Sequence, residues 1–345
     1  MRACVFNAPG EVVVVDKPTP EAGRGEIVLR VAAAGLCHSD VRVFKGEKYA
    51  KPGVIPGHEM SGVIAQVGDG VADWHEGDRV SLCPIIACGS CSFCRVGKRN
   101  RCVKRITLGY DDDGALGEYV LIPEPIVRLG HIFRLPDSVP LDLASLLEPT
   151  SCVFNSMELL GVGPGTNLLL VGAGPMGLIH LVVARALGAN VIASEPDEER
   201  RAGARALGAA AVIDPLSQDV PKAVKELTNG DGADAAAVTT GAVLAVGPAL
   251  NAVRKQGIVN LFGGFPPNSS LDLDPNLIHY NEIVLTGSQN ATIAQYELAL
   301  KLLPRLGDLR KVVSHSFTIE DAPKAYESRL DLAGRKTEVV YPGVG

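Results

Sequence analysis

The sequence has no surplus of positive charge: 33 Lys and Arg stand against 39 Asp and Glu, for a formal net charge of −6. No global field therefore favours a phosphate backbone, and nucleic acid is a poor expectation. It also lacks an uninterrupted apolar run long enough to cross a bilayer. Its most apolar stretch, NLLLVGAGPMGLIHLVVARALGANVIA, is broken by glycines, Pro175, His180 and Arg185 and reads as a buried strand–helix–strand. There is no internal repeat or low-complexity segment. Met1-Arg2-Ala3-Cys4-Val5 lacks the basic-then-apolar pattern of a signal peptide, so a cytoplasmic protein with reduced thiols is expected. In that compartment clustered cysteines point to metal rather than disulfides.

What is present suits a soluble protein with two cores. The chain has 345 residues, 46% of them apolar, and at roughly 150 residues per domain two domains are expected. Up to about Pro149 short β-rich runs (EIVLRVAAAG, MSGVIAQVG, DRVSL, EYVLIP) are punctuated by Gly and Pro, which predicts a compact, partly antiparallel β domain. From Asn167 the rhythm becomes apolar strand, helix, apolar strand. Strands are expected at NLLLV, NVIAS, AAVI, DAAAV, GIVNLF and EIVLTG, in an α/β, doubly wound parallel sheet covered on both faces. The remainder, a helix at IAQYELALKLLPRL, VVSHSF, a helix from Ile319 and a last strand TEVVY, is too short for a third domain. The expected division is 1–149, 150–287 and 288–345.

LLLVGAGPMG places Gly172, Gly174 and Gly177 after an apolar strand and at the mouth of a helix, with Pro175 and Met176 between them. The first glycine allows the turn, the second lets backbone approach a pyrophosphate, and the third lets helix and strand pack closely. The helix N-terminus adds free N–H groups and the positive end of its dipole. Such turns also arise for steric reasons alone. Here Glu195 ends the next strand about 20 residues on, where a carboxylate accepts from an adenosine ribose and repels a 2′-phosphate. That favours NAD over NADP. Arg200 and Arg201 lie near enough to blur the preference, although a solvated helix start explains them equally well.

Four of the eight cysteines, Cys88, Cys91, Cys94 and Cys102, follow C-x2-C-x2-C-x7-C. Four thiolates close a tetrahedral zinc shell, leave no position for substrate and contribute folding energy to a loop too short for its own core. A dispersed second set comprises Cys37 in GLCHSD, His58-Glu59 in PGHEMSGVIAQVGDGV and Glu148 in LLEPTSC. One thiolate, one imidazole and one carboxylate leave a fourth position open, the pattern of a catalytic zinc. Taken singly these are a small core residue, a turn histidine and a helix-terminal charge. In a chain with a dinucleotide cradle, their combination outweighs the separate readings. Cys4, Cys83 and Cys152 fall outside both sets and read as small apolar residues.

On these motifs the chain resembles the zinc-dependent medium-chain dehydrogenases of the alcohol/polyol family over both domains. The family's zinc signature G-H-E-x2-G-x5-G-x2-V runs here from Gly57 through Gly62 and Gly68 to Val71. The resemblance implies a mainly β, GroES-like catalytic domain with a structural zinc lobe at 86–103, a Rossmann NAD-binding domain, and a C-terminal return to the first. It implies two zinc ions per subunit, the catalytic one on Cys37 and His58 with Glu59 or Glu148. Cofactor contacts would fall on Gly172, Gly174, Pro175, Met176, Gly177, Glu195 and Arg200. It further implies a homotetramer or homodimer acting on a small-molecule alcohol, with no membrane or nucleic-acid partner.

By the same resemblance Ser39 is a hydroxyl relay for the substrate's proton, in competition with a turn-capping role beside Asp40. The histidine that often continues the relay is replaced by Arg42. His38 lies in a variable stretch and is not expected to bind zinc. Glu148-Pro149 resembles the polyol dehydrogenases, closest to sorbitol and L-iditol dehydrogenase-like members. Yet Asn290 and Ala291 stand where some sorbitol enzymes carry an Arg-Tyr pair. A secondary alcohol, a polyol or sugar alcohol foremost, is the expected substrate, with simple secondary alcohols and L-threonine as alternatives. The rival from another class is a zinc-ribbon nucleic-acid module with a nucleotide sensor, suggested by Arg95, Lys98, Arg99 and Arg101. The acidic whole and the open three-ligand set argue against it.

Overall fold

The computed structural model describes residues 1–330 and 335–344. The chain divides into two compact units, Met1–Ser151 with Ala291–Gly345, and Cys152–Asn290.

The first unit is organised around strand Ile27–Leu36, buried everywhere except Arg30. Its seven-stranded sheet runs Val313–Phe317, Lys336–Val340, Ile27–Leu36, Glu59–Val67, Arg79–Leu82, Ile132–Arg134, and Tyr119–Ile122 also pairs with Ile27–Leu36. Val313–Phe317 and Lys336–Val340 are parallel; the other pairs are antiparallel. The C-terminal strand is thus a neighbour of the central strand. Register does the positioning. Gly35 stands opposite Glu59 on one side and Glu338 on the other. A Cβ at Gly35 would lie 2.1 Å from Glu59 Oε2, so only glycine leaves room for that carboxylate. Two two-stranded antiparallel sheets accompany it, Arg2–Ala8 with Glu11–Asp16 and Ile85–Ile86 with Ile106–Thr107, the second spanning the cysteine lobe.

The second unit is a six-stranded, wholly parallel sheet in the order Ala211–Ile213, Asn190–Ser194, Asn167–Val171, Ala233–Val238, Val253–Leu261, Val284–Gly287. By position in the chain this is 3-2-1-4-5-6, the doubly wound Rossmann order, whose switch point lies beside Asn167–Val171. That strand is apolar because helices cover it; Leu168, Leu169 and Leu170 are fully buried, at about 1.5–3 kcal/mol each. The helix that follows it, Pro175–Ala186, begins with proline, whose missing N–H costs nothing there. The most apolar stretch of the chain is this strand, helix and next strand. Among the described residues no helix is long and apolar enough to cross a membrane.

Candidate active site

Cys37 follows the central strand and caps helix His38–Phe44 in the first unit. His58 immediately precedes the next strand and Glu59 begins it, so the paired ends of these two strands bring three donors together. One ligand atom from each of Cys37, His58 and Glu59 lies within 4.8 Å of the others. Glu148 is buried but stands outside this group. It is close enough for its charge to be felt by Tyr110. His38 is exposed and does not belong to the group.

Asp40 organises the donors. Cys37 N–H donates to Asp40 Oδ2 at 2.9 Å, closing the cap of the helix. Asp40 Oδ1 faces His58 Nδ1 at 3.4 Å, a contact too poorly aligned for a hydrogen bond. Burial alone would lower the His58 pKa, but the Asp40 carboxylate and Cys37 raise it well above the usual imidazole value. Burial would likewise raise Asp40, and His58 holds it below its ordinary value. The pocket favours positive charge among buried donors, and the thiol, imidazole and carboxylate set suits zinc. Glu59 is wholly buried and is met by an equally buried cation, Lys336. Lys336 Nζ donates to Glu59 Oε1 at 2.7 Å and stands 2.5 Å from Oε2 without donor alignment.

Ser39 lies in the first helical turn, yet its hydroxyl does not cap it. It pairs with Tyr110 Oη at 2.6 Å. The Tyr110 ring sits 5.1 Å from the His58 ring, centroid to centroid, and Lys48 Nζ stands 3.5 Å over its face. Burial, then the charges of Asp40 and Cys37, push the Tyr110 phenol well above its ordinary pKa. It remains a neutral partner for Ser39.

The four-cysteine lobe is a separate cluster, again with its ligand atoms within 4.8 Å of one another. Peptide N–H groups point at sulfur: Cys88 N to Cys102 Sγ at 3.3 Å, and Cys91 N to Cys88 Sγ at 3.4 Å. Donation from the Ser90 and Cys91 backbone draws the Cys88 thiol down to about 5. Burial and neighbouring thiols push Cys94 up to about 12. All eight cysteines are free. Cys4 and Cys83 lie in the core, where burial pushes both thiols up to about 12, as for inert apolar residues.

In the second unit the glycine turn is braced from two sides. Glu195 Oε2 accepts from Ala173 N at 2.7 Å, and its Oε1 from Asp197 N at 3.1 Å. Thr239 Oγ1 donates to Val171 O and Gly172 O. A Cβ at Gly177 would meet Gly172 O at 2.1 Å, whereas one at Gly174 would meet nothing within 4 Å. The third glycine therefore serves packing, and the second leaves open space before the N-terminus of helix Pro175–Ala186. Gly172, Gly174, Pro175 and Met176 stay partly accessible there. This fits a bound pyrophosphate. Each Glu195 oxygen accepts from one of these backbone N–H groups, and each has a further lone pair. Arg201 is taken up by Glu198 Oε2 at 2.7 Å and by the carbonyls of Glu195 and Pro196. Arg200 lies in the first turn of helix Glu198–Ala206, its N–H bonded to the Asp197 cap.

Sequence reasoning did not single out Tyr110, Lys48, Lys336 or Thr239, and Asp40 entered only as a neighbour of Ser39. Asp40, three residues after Cys37, carried a usable signal as a helix-capping carboxylate; the others carried none.

Residues 23–131 match the family described as alcohol dehydrogenase GroES-like domain, and residues 175–305 the one described as zinc-binding dehydrogenase. The chain belongs to the zinc-binding alcohol dehydrogenases. It is 34% identical to an L-threonine 3-dehydrogenase of Pyrococcus horikoshii, over 99% of this chain and 98% of that one. It is 32% identical to a sorbitol dehydrogenase of Halalkalibacterium halodurans, over 93% of each. Among solved structures, galactitol-1-phosphate dehydrogenase from Escherichia coli superposes with a TM-score of 0.91 at 27% identity, covering 99% of this dehydrogenase and 100% of that chain. Zinc and a nicotinamide dinucleotide are the cofactors of such a protein, and the donor sets and the glycine cradle fit them.

Proposed function

We propose that this dehydrogenase oxidises a secondary alcohol, a polyol or sugar alcohol foremost, to the ketone with NAD as acceptor. The observation that carries the reading is the meeting of Cys37, His58 and Glu59 beside the Ser39–Tyr110 hydroxyl pair. Cys37, His58 and Glu59 hold the catalytic zinc; Glu148, just outside, is the carboxylate available to exchange with Glu59. Cys88, Cys91, Cys94 and Cys102 hold the structural zinc. The dinucleotide lies on Gly172, Gly174, Pro175, Met176 and Gly177, with Glu195 on the ribose and Arg200 beside it.

When bound, zinc lowers the pKa of the alcohol oxygen and NAD supplies the hydride acceptor. The chain's own residues manage charge and proton. Asp40 holds the His58 imidazole in place through charge, and Lys336 offsets the charge of Glu59. Ser39 accepts the substrate's hydroxyl proton and passes it toward solvent, its orientation fixed by Tyr110. Arg42, where a histidine often continues the relay, carries a fixed charge and cannot take that proton. The balance is alcohol plus NAD⁺ giving ketone, NADH and one proton.

Glu195 and the engagement of Arg201 support NAD over NADP. The threonine dehydrogenase relatives support a second reading, oxidation of L-threonine or another simple secondary alcohol. We also infer a cytoplasmic homo-oligomer: the thiols are free, and edge strand Val284–Gly287 exposes Val284. Reduction of NAD and NADP with a panel of polyols, simple secondary alcohols and L-threonine tests the reading. No reduction by any of them would overturn it.

A further inference from the structure

The Ser39–Tyr110 pair has a cation on its wall that the reaction does not require. Lys48 Nζ stands 3.5 Å over the Tyr110 ring, and that ring lies 5.1 Å from His58 and donates or accepts at Ser39. Lys48 is exposed to solvent as a residue, while Tyr110 beneath it is buried. Among the described residues no carboxylate forms an ion pair with the Lys48 ammonium and no group hydrogen-bonds it. By contrast, Arg42 is paired with Glu47 Oε2 at 3.5 Å, and Arg105 donates to Asn100 O at 3.0 Å. Partial burial of the ammonium against Tyr110, then the Arg105 and Arg42 charges, lowers the Lys48 pKa, against the opposing pull of Asp40 and Cys37. An ammonium with three donors free of hydrogen bonds thus stands over the ring whose hydroxyl pairs with Ser39 and which neighbours His58.

We propose that Lys48 is a specificity residue and that the preferred substrate is an anionic secondary alcohol, bearing a carboxylate or phosphate a few carbons from the reacting hydroxyl. This deepens the dehydrogenase reading and rests on it. A protonated lysine over an aromatic face favours an anion through charge-assisted hydrogen bonds, roughly ten- to hundredfold in affinity. It gives a neutral polyol no comparable gain. Because the anion lies away from the reacting carbon, the gain falls mainly on KM.

The test compares kcat and KM on matched neutral and anionic alcohols, with wild type, Lys48→Met and Lys48→Arg. 2-Butanol is set against 3-hydroxybutyrate for the carboxylate arm, and galactitol against galactitol-1-phosphate for the phosphate arm. Wild type is expected to favour the anionic member in one arm, and that arm names the anion. Lys48→Met should collapse that preference about ten- to hundredfold, chiefly through KM, and Lys48→Arg should restore most of it. Calorimetric titration of the zinc- and NAD-loaded enzyme with inorganic phosphate or butyrate supplies a readout free of turnover, and its heat should vanish in Lys48→Met. If neutral alcohols are oxidised but the anionic ones no better in either arm, or if Lys48→Met lowers both members equally, the inference falls and the dehydrogenase reading stands. If no alcohol is oxidised, the dehydrogenase reading falls first.

Discussion

Two clusters of side chains able to hold a metal ion lie in the same unit and are built differently. In the lobe all four donors are cysteines, local in sequence and supplied with peptide N–H groups from their own loop. In the Cys37, His58 and Glu59 cluster the donors are mixed, come from separate segments, and are held by side-chain charges: Asp40 against His58, Lys336 against Glu59. A thiolate set braced by backbone is complete in itself and supports a fold. A three-donor set braced by ionisable groups leaves a position open and regulates charge, as chemistry requires.

The largest expected effect follows from that contrast. Cys37→Ser or His58→Ala should remove one zinc and bring oxidation to background, with melting temperature and NAD affinity near wild type. Metal analysis with steady-state rates and calorimetry checks it. Retained turnover would show that the chemistry lies elsewhere. Cys91→Ser or Cys94→Ser should act the other way. Loss of the structural metal should cost at least about 3 kcal/mol and lower the melting temperature on the order of 10 °C, with less effect on rate per folded molecule. Fully stable lobe variants without activity would reverse the two roles.

Smaller effects sharpen the account of the open cluster. Ser39→Ala should slow turnover about a hundredfold while both metals and NAD affinity are kept. Tyr110→Phe should cost about tenfold, because it loosens Ser39 without removing it. An unchanged rate across pH in Ser39→Ala would leave Ser39 a structural partner of Tyr110. Smallest is the cofactor effect. Glu195→Ala should narrow the preference for NAD over NADP, measured as the ratio of kcat/KM values. Since Glu195 also braces Ala173, some loss of affinity for both is expected. Wild type that uses NADP more efficiently would overturn the assignment.

How legible the molecule was differs by scale. The parallel sheet could be read because its strands are apolar runs and its turn needs glycine at Gly172 and Gly177. The lobe could be read because its ligands lie in one short loop. The open cluster was legible only as candidate residues: sequence left Glu59 and Glu148 equivalent, while the register opposite Gly35 puts Glu59 with Cys37 and His58. The partners of these residues were hidden because long-range register cannot be read from local pattern. Lys336 reaches Glu59 from the far end of the chain through pairing of the last strand beside Ile27–Leu36. Tyr110 reaches Ser39 from a loop with no periodic pattern.

The most direct measurement is the visible spectrum of the cobalt(II)-substituted enzyme, titrated with an oxidised alcohol in wild type, Cys37→Ser and Cys94→Ser. The two-site account predicts that the alcohol shifts only the bands lost in Cys37→Ser and leaves the thiolate-rich bands lost in Cys94→Ser unchanged. A shift in the bands of the four-cysteine lobe would contradict it.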